Sequence, residues 1–326
     1  MTKLNFRCIA PLTRFSMDDD EFVLDENLKI RRMSEEEIKA FQTEFSPIDV
    51  KLSVGQSSFA LKFEFEKEKF ESKDGSNVID TGIGDASNVV SAPLALLRLI
   101  GKGNVSIPAI RVEEIGERQP GLSGPAMQYC EISLFGEQYL VKKEDTSKIQ
   151  NCWRVLSQLA PLFRRQENRD LLIASSRFHY SYIRKSWEDR IVDSMIGFEA
   201  LVSREPDEAT ERESNRISSL IGEGDEQRIK IKKMFRKMYR LRSDIVHGRG
   251  IENPNNVREI PLFAQRLLAA AIRTALCLRN DGLSRENMID MLNECLLSGE
   301  KREYLMQKKS GYREFISCED LPFLAP

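Results

Sequence analysis

The residues from Glu226 to Gly250, EQRIKIKKMFRKMYRLRSDIVHGRG, read as one basic helix that stops on a histidine. Ile231, Met234, Met238, Leu241 and Ile245 recur at spacings of three and four, which is a single apolar stripe on a 3.6-residue period. Gly248 can adopt the left-handed backbone that ends helices, and Gly250 follows it, so His247 belongs to the last turn or the cap. Between Arg228 and Arg249 nine Lys or Arg face one acid, Asp244. With Met234 set at zero and about 100° added per residue, Arg242 falls at about 80° and His247 at about 220°. One straight helix therefore holds them about 140° apart. They can cooperate only if the last turn loosens or a second copy of the helix supplies the partner.

Histidine chemistry has few options, because the chain contains two histidines. A neutral imidazole at His247 can take a proton from a ribose 2′-OH or return one to a leaving oxygen, while the Arg242 guanidinium stabilises charge on the phosphate. The structural alternative is that His247 serves the last carbonyls of its own helix. His179, in Arg177-Phe178-His179-Tyr180, reads as a packed or solvent-facing residue, since the sequence alone names no second polar partner for it. On the helix expected at 187–203, Ile191, Met195, Phe198 and Val202 form the stripe and Glu199 lies on its flank. A partly buried carboxylate needs a partner, so a Glu199 to Arg242 tie is expected, either orienting the guanidinium for chemistry or serving as a structural ion pair. Lys232, Lys233, Arg236, Lys237 and Arg240 can follow a phosphate backbone while Tyr239 stacks on a base. The other reading of that run is a solvated face beside acids such as Glu211 and Glu213.

With 326 residues, 41% apolar and 31% charged, the chain suits a globular protein of two domains. Its net charge of -2 argues against a general nucleic-acid coat and leaves room for a local basic face. The N-terminus lacks an apolar run of signal-peptide length, and Arg98, Arg266 and Arg273 cut the most apolar segments. A cytoplasmic protein without membrane partners is expected. The six cysteines, Cys8, Cys130, Cys152, Cys277, Cys295 and Cys318, are scattered without a C-x-x-C pair, which suggests reduced thiols and no metal site. No cofactor is expected either, since Gly82-Ile83-Gly84 lacks the later glycine of a dinucleotide fingerprint.

The fold class expected is α+β: a β-rich N-terminal domain, residues 1–147, then an all-α antiparallel helical bundle, residues 148–326. In the first part, Phe22 to Leu24 and Leu28 to Ile30 flank a turn, and Ser34 with Glu37 has capping-box spacing for a helix to about Phe45. Phe59, Leu61, Phe63 and Phe65 alternate with polar or small residues, predicting a strand with one buried face. A short helix is expected from Ala92 to Ile100, then a hairpin of Gln128 to Phe135 with Gln138 to Lys142. In the second part the periodicity predicts helices at 148–167, 169–185, 187–203, 211–222, 225–247, 256–280 and 284–298.

Arg242-Ser243-Asp244-Ile245-Val246-His247-Gly248, preceded by Tyr239, resembles the signature of the HEPN superfamily, specifically its ApeA-like group with a Y-x-x-R-S-x-x-V-H-G ending. Arg177-Phe178, then Glu188 to Asp193, then Phe198 to Val202 are similar to that group's first two bundle helices, so the resemblance covers roughly residues 165–285. It implies a HEPN-like bundle that forms a homodimer and brings two R-x4-H motifs together in one metal-independent RNA-cleaving cleft. Arg242 and His247 match the family's arginine and histidine. Ser243 stands where the family carries a variable polar residue. The resemblance also implies a setting in phage defence or a toxin-type system. The resulting expectation is an endoribonuclease with Arg242 and His247 catalytic, Glu199, Ser243 and Tyr239 supporting, and products ending in a 2′,3′-cyclic phosphate and a 5′-OH. The alternative is a non-catalytic HEPN module that binds RNA or a protein and mediates dimerisation. In either case the N-terminal domain could take a protein or ligand trigger.

Overall fold

The computed structural model describes residues 3–44, 48–68, 81–101, 103–116, 124–130, 137–205, 210–249, 257 and 259–316. The fold is α+β. It divides into two compact units, one of Met1–Arg98 with Lys102–Trp153 and one of Leu99–Gly101 with Arg154–Pro326.

The first unit runs β1 (Lys3–Leu12), β2 (Phe15–Met17), β3 (Glu21–Val23), β4 (Leu28–Arg32), α1 (Glu35–Glu44), α2 (Ile48–Gly55), β5 (Phe59–Glu68), α3 (Ile83–Ile100), β6 (Ala109–Ile115), β7 (Ala126–Tyr129) and β8 (Tyr139–Val141), and reaches α4 (Thr146–Leu159). Six strands form an antiparallel sheet in the order β3-β4-β5-β1-β6-β7. The Ser34 capping box forms: Ser34 donates its amide to Glu37 Oε2 at 2.8 Å, and the Glu37 amide donates to Ser34 Oγ at 3.2 Å.

Strand β5 departs from the one-faced expectation, because Ala60 and Lys62 are buried along with Phe59, Leu61 and Phe63. Phe41 of α1 and Val54 of α2 pack with Ile9, Ala60 and Ala109 over that second face. Lys62 survives burial by donating to both Glu37 oxygens at 2.6 Å. Burial pulls the Glu37 carboxyl up, but the Lys62 bond, the Ser34 amide and nearby cations outweigh it and hold the carboxyl below its ordinary range.

The expected hairpin of 128–135 with 138–142 is corrected. Gln128 lies in β7, which pairs with β6, whereas β8 pairs in parallel with β2 in a separate two-stranded sheet. Residues 131–136 lie outside the described set. Tyr139 stacks on Phe15 at 5.7 Å and donates its amide to Arg14 O at 2.7 Å, so a long-range aromatic contact decides this pairing and not a local turn. Helix α3 starts nine residues before Ala92 and runs through Pro93. Buried Ala86, Val90, Leu94 and Leu97 recur at helical spacing and outweigh the one backbone bond a proline removes.

The second unit contains α5 (Arg169–Ile183), α6 (Trp187–Val202), α7 (Thr210–Ile221), α8 (Asp225–Val246), α9 (Ile260–Asn280), α10 (Arg285–Glu294), α11 (Gly299–Ser310) and α12 (Arg313–Ile316). The helix expected at 148–167 ends at Leu159, where Pro161 opens a short 3-10 segment, Ala160–Arg164. Helix α9 begins at Ile260, with Pro261 in its first turn, four residues later than expected. Helix α10 stops at Glu294, and Ser298 caps a helix that the periodicity did not predict.

Helix α6 packs against α5, α7, α8 and α9. It is buried on more than one side, with Asp193, Ser194 and Gly197 joining Ile191, Met195, Phe198 and Leu201 inside. A Cβ on Gly197 would come within 2.7 Å of the Leu268 side chain on α9, so this glycine permits the close approach of the two helices. Helices α3 and α9 are long and apolar enough to cross a membrane by length and composition. In α9, 89% of that apolar window is buried inside the protein, and in α3 half of it is.

Candidate functional site

Helix α8 buries Ile231, Phe235, Met238 and Leu241. Phe235 was outside the expected stripe, and Met234 and Ile245, which were in it, are only half-buried. The reason is Phe198 of α6, whose ring meets Phe235 edge-on at 5.3 Å and 76°. Full burial of such a side chain contributes about 1.5–3 kcal/mol, enough to set the rotation of the helix. On the same 100° construction the buried face now centres at about 45°, which brings Arg242 onto its edge and leaves His247 on the opposite side.

Exposure agrees with that geometry. Arg242 and Glu199 side chains each keep 28% exposure, and Arg242 Nη2 lies 3.7 Å from Glu199 Oε1. At that distance they form an ion pair without a hydrogen bond. Among the described residues this is the one polar contact of the guanidinium, and its buried Nε has no acceptor. Burial pushes the Glu199 carboxyl above its ordinary value, against the opposing pull of the Arg242 charge.

His247 is exposed and is the C-cap residue of α8, with φ −90° and ψ 7°. Its amide still donates to Ser243 O at 3.0 Å, so the last turn remains a regular α-turn. Gly248 then takes φ +64°, the Gly248 amide donates to Ile245 O at 3.1 Å, and the Arg249 amide donates to Asp244 O at 2.8 Å. These two bonds form the Schellman closure. The last turn does not loosen, and Arg242 and His247 face different ways on one helix.

The five basic candidates split into two groups. Lys232 Nζ lies 2.5 Å from Glu211 Oε1, and Arg236 Nη1 lies 3.7 Å from Glu211 Oε2. Lys233, Lys237 and Arg240 are exposed, and no carboxylate among the described residues forms an ion pair with them. Glu213, the other acid expected near this face, is buried and accepts from Ser203 Oγ. Tyr239 and Ser243 are half-buried, which sets Tyr239 beside the exposed row and not within it. His179 is exposed on α5, with its ring 6.1 Å from that of Tyr180.

No family model, curated protein or solved structure matches the chain.

One cluster escaped the sequence reading. Asp193 on α6 is buried and accepts from Arg177 Nη1 and from Arg184 Nε, each at 2.8 Å. Arg177 and Asp193 stood in two of the motif blocks, and the signal was an acid among the apolar residues Ile191, Val192, Met195 and Ile196. Among the described residues no group of three or more His, Cys, Asp or Glu is placed to hold a metal ion. Cys8, Cys130, Cys152, Cys277 and Cys295 are free thiols, Cys318 lies outside the described residues, and burial pushes Cys130 up to about 11.

Proposed function

We propose that this protein is a metal-independent endoribonuclease of the HEPN kind, with a composite site made where two copies bring their α8 ends together. The observation that carries the reading is the pairing of an under-used guanidinium with an outward histidine on one regular helix end. Because one copy turns Arg242 toward α6 and His247 away from it, a single phosphate reaches both groups most readily when the partner copy supplies one of them.

In that site the ribose 2′-oxygen attacks phosphorus while a neutral His247 imidazole takes its proton. The bond to the 5′-oxygen breaks, and the second copy's imidazolium returns a proton to that oxygen. Arg242 stabilises the charge gathered on the phosphate. The products are a 2′,3′-cyclic phosphate and a 5′-OH. Glu199 holds Arg242 loosely, so exchange of the carboxylate for a phosphate costs few hydrogen bonds. Ser243 and Tyr239 line the flank. A cytoplasmic setting, a role in phage defence or toxin systems, and a trigger acting through the sheet-bearing unit belong to the same reading.

The test is incubation of labelled RNA in EDTA with wild type, Arg242→Ala and His247→Ala, with the mass of the protein in solution measured alongside. Cleavage by a wild-type dimer that both variants lose supports the proposal. Cleavage that survives either substitution, or a purely monomeric active protein, overturns it. RNA binding without cleavage by the wild type favours the second reading, a non-catalytic HEPN module that binds and dimerises.

A further inference from the structure

The exposed side of α8 carries more order than a count of cations conveys. Lys233, Arg240 and His247 follow one another at intervals of seven residues, and each such step turns the helix by only about 20° while advancing about 10.5 Å. Lys237 lies within about 40° of Lys233. The four groups therefore occupy one strip, about 80° wide and about 21 Å long, that ends on the candidate catalytic imidazole. Asp244 falls inside this strip, but Arg249 sits 3.5 Å from it and offsets its charge. Lys230, at the strip's edge, is held by Glu226 at 2.9 Å. On the far edge Glu211 takes Lys232 and Arg236.

The end of α8 itself does not attract an anion, because a helix C-terminus carries partial negative charge. A phosphate brought to His247 needs cations supplied from elsewhere, and Lys233, Lys237 and Arg240 are the ones not already committed to a carboxylate among the described residues.

Resting on the ribonuclease reading, we infer that the outer face of α8 is a track for single-stranded RNA, which runs from Lys233 past Lys237 and Arg240 and delivers the scissile phosphate to His247. The strip is one helix wide, which matches one backbone. A duplex would lay its second row of phosphates beyond the strip, where Lys232 and Arg236 are already held by Glu211. In-line attack by a 2′-oxygen also needs a backbone freer than that of an A-form duplex. A track of about 21 Å spans on the order of four nucleotides, the lower end of single-strand site sizes, so the enzyme requires about that length on one side of the cut.

The test measures binding apart from cleavage. A 2′-O-methyl strand of about twelve nucleotides, which has no attacking hydroxyl, is titrated with wild type, the triple variant Lys233→Ala/Lys237→Ala/Arg240→Ala and the pair Lys232→Ala/Arg236→Ala over a range of salt. The triple variant is expected to melt like wild type, to lose tenfold or more in affinity, and to lower the slope of log affinity against log salt by about 2, from a single-strand slope of about 0.7 per phosphate. The pair changes the slope by less than the triple variant does, and a duplex of the same sequence binds more weakly than the single strand. If the triple variant binds like wild type, or the duplex binds as well as the strand, the track is wrong while wild-type cleavage in EDTA leaves the ribonuclease reading standing. If wild type neither binds the strand nor cleaves RNA, both fall together.

Discussion

Asp193 and Glu199 stand six residues apart on α6, and each faces arginine from a neighbouring element. Asp193 is buried and receives two charge-assisted hydrogen bonds at 2.8 Å, from Arg177 and Arg184. Glu199 is half-buried and meets a single guanidinium at 3.7 Å without a hydrogen bond. The first tie is saturated and fastens α5 to α6. The second leaves donors on Arg242 unspent, and a guanidinium in that condition is the kind that can exchange a carboxylate for a phosphate. Charge alone does not distinguish the two, since both are an acid beside arginine. The hydrogen-bond inventory does.

The widest separation between them is expected in activity. Arg242→Ala should lower RNA cleavage by about a hundredfold or more while shifting stability by less than about 1 kcal/mol, and Arg177→Ala should do the reverse. Equal losses of cleavage in the two variants, compared at matched folded fraction, break the distinction. In stability the order inverts. Asp193→Asn should cost about 1–2 kcal/mol by urea denaturation because two part-buried charge-assisted hydrogen bonds lose their anion, against less than about 1 kcal/mol for Glu199→Gln. Between the two acids, Gly197→Ala drives a methyl toward Leu268 while gaining helix propensity. The net loss expected is about 1 kcal/mol, read as a lower melting temperature.

The smallest effect is the dependence of stability on pH. Burial raises the folded Glu199 carboxyl above its unfolded value, so the folded chain binds that proton more tightly. Its contribution to stability is full below about pH 4 and is lost as the pH climbs through the raised folded value. Unfolding free energies of wild type and Glu199→Gln, compared across that window, should therefore show the difference, wild type minus variant, falling with pH. A difference that rises would mean the carboxylate is net stabilised in the fold.

Both units were legible where short-range rules govern. The helix at α8, the Ser34 capping box and the stop at Gly248 are local, and the structure shows each of them. Phe235 was not legible, because its burial depends on the ring of Phe198 in another helix. The partner of β8 was missed for the same reason, since Phe15 lies far off in sequence and no turn announces it. Within the candidate site, the angle between Arg242 and His247 followed from helix geometry alone. The division of the basic run by Glu211 required knowing which face α7 presents to α8.

The closure at the end of α8 has a further consequence. The amides of His247, Gly248 and Arg249 all point back into the helix, bonded to Ser243, Ile245 and Asp244. Helix N-termini that bind anions use backbone amides, which no substitution except proline can remove. Here the main chain offers an arriving ligand none of those three groups, so recognition rests on exchangeable side chains. A side-chain substitution at this end of the helix would therefore change what it can bind while leaving the backbone closure beneath it intact.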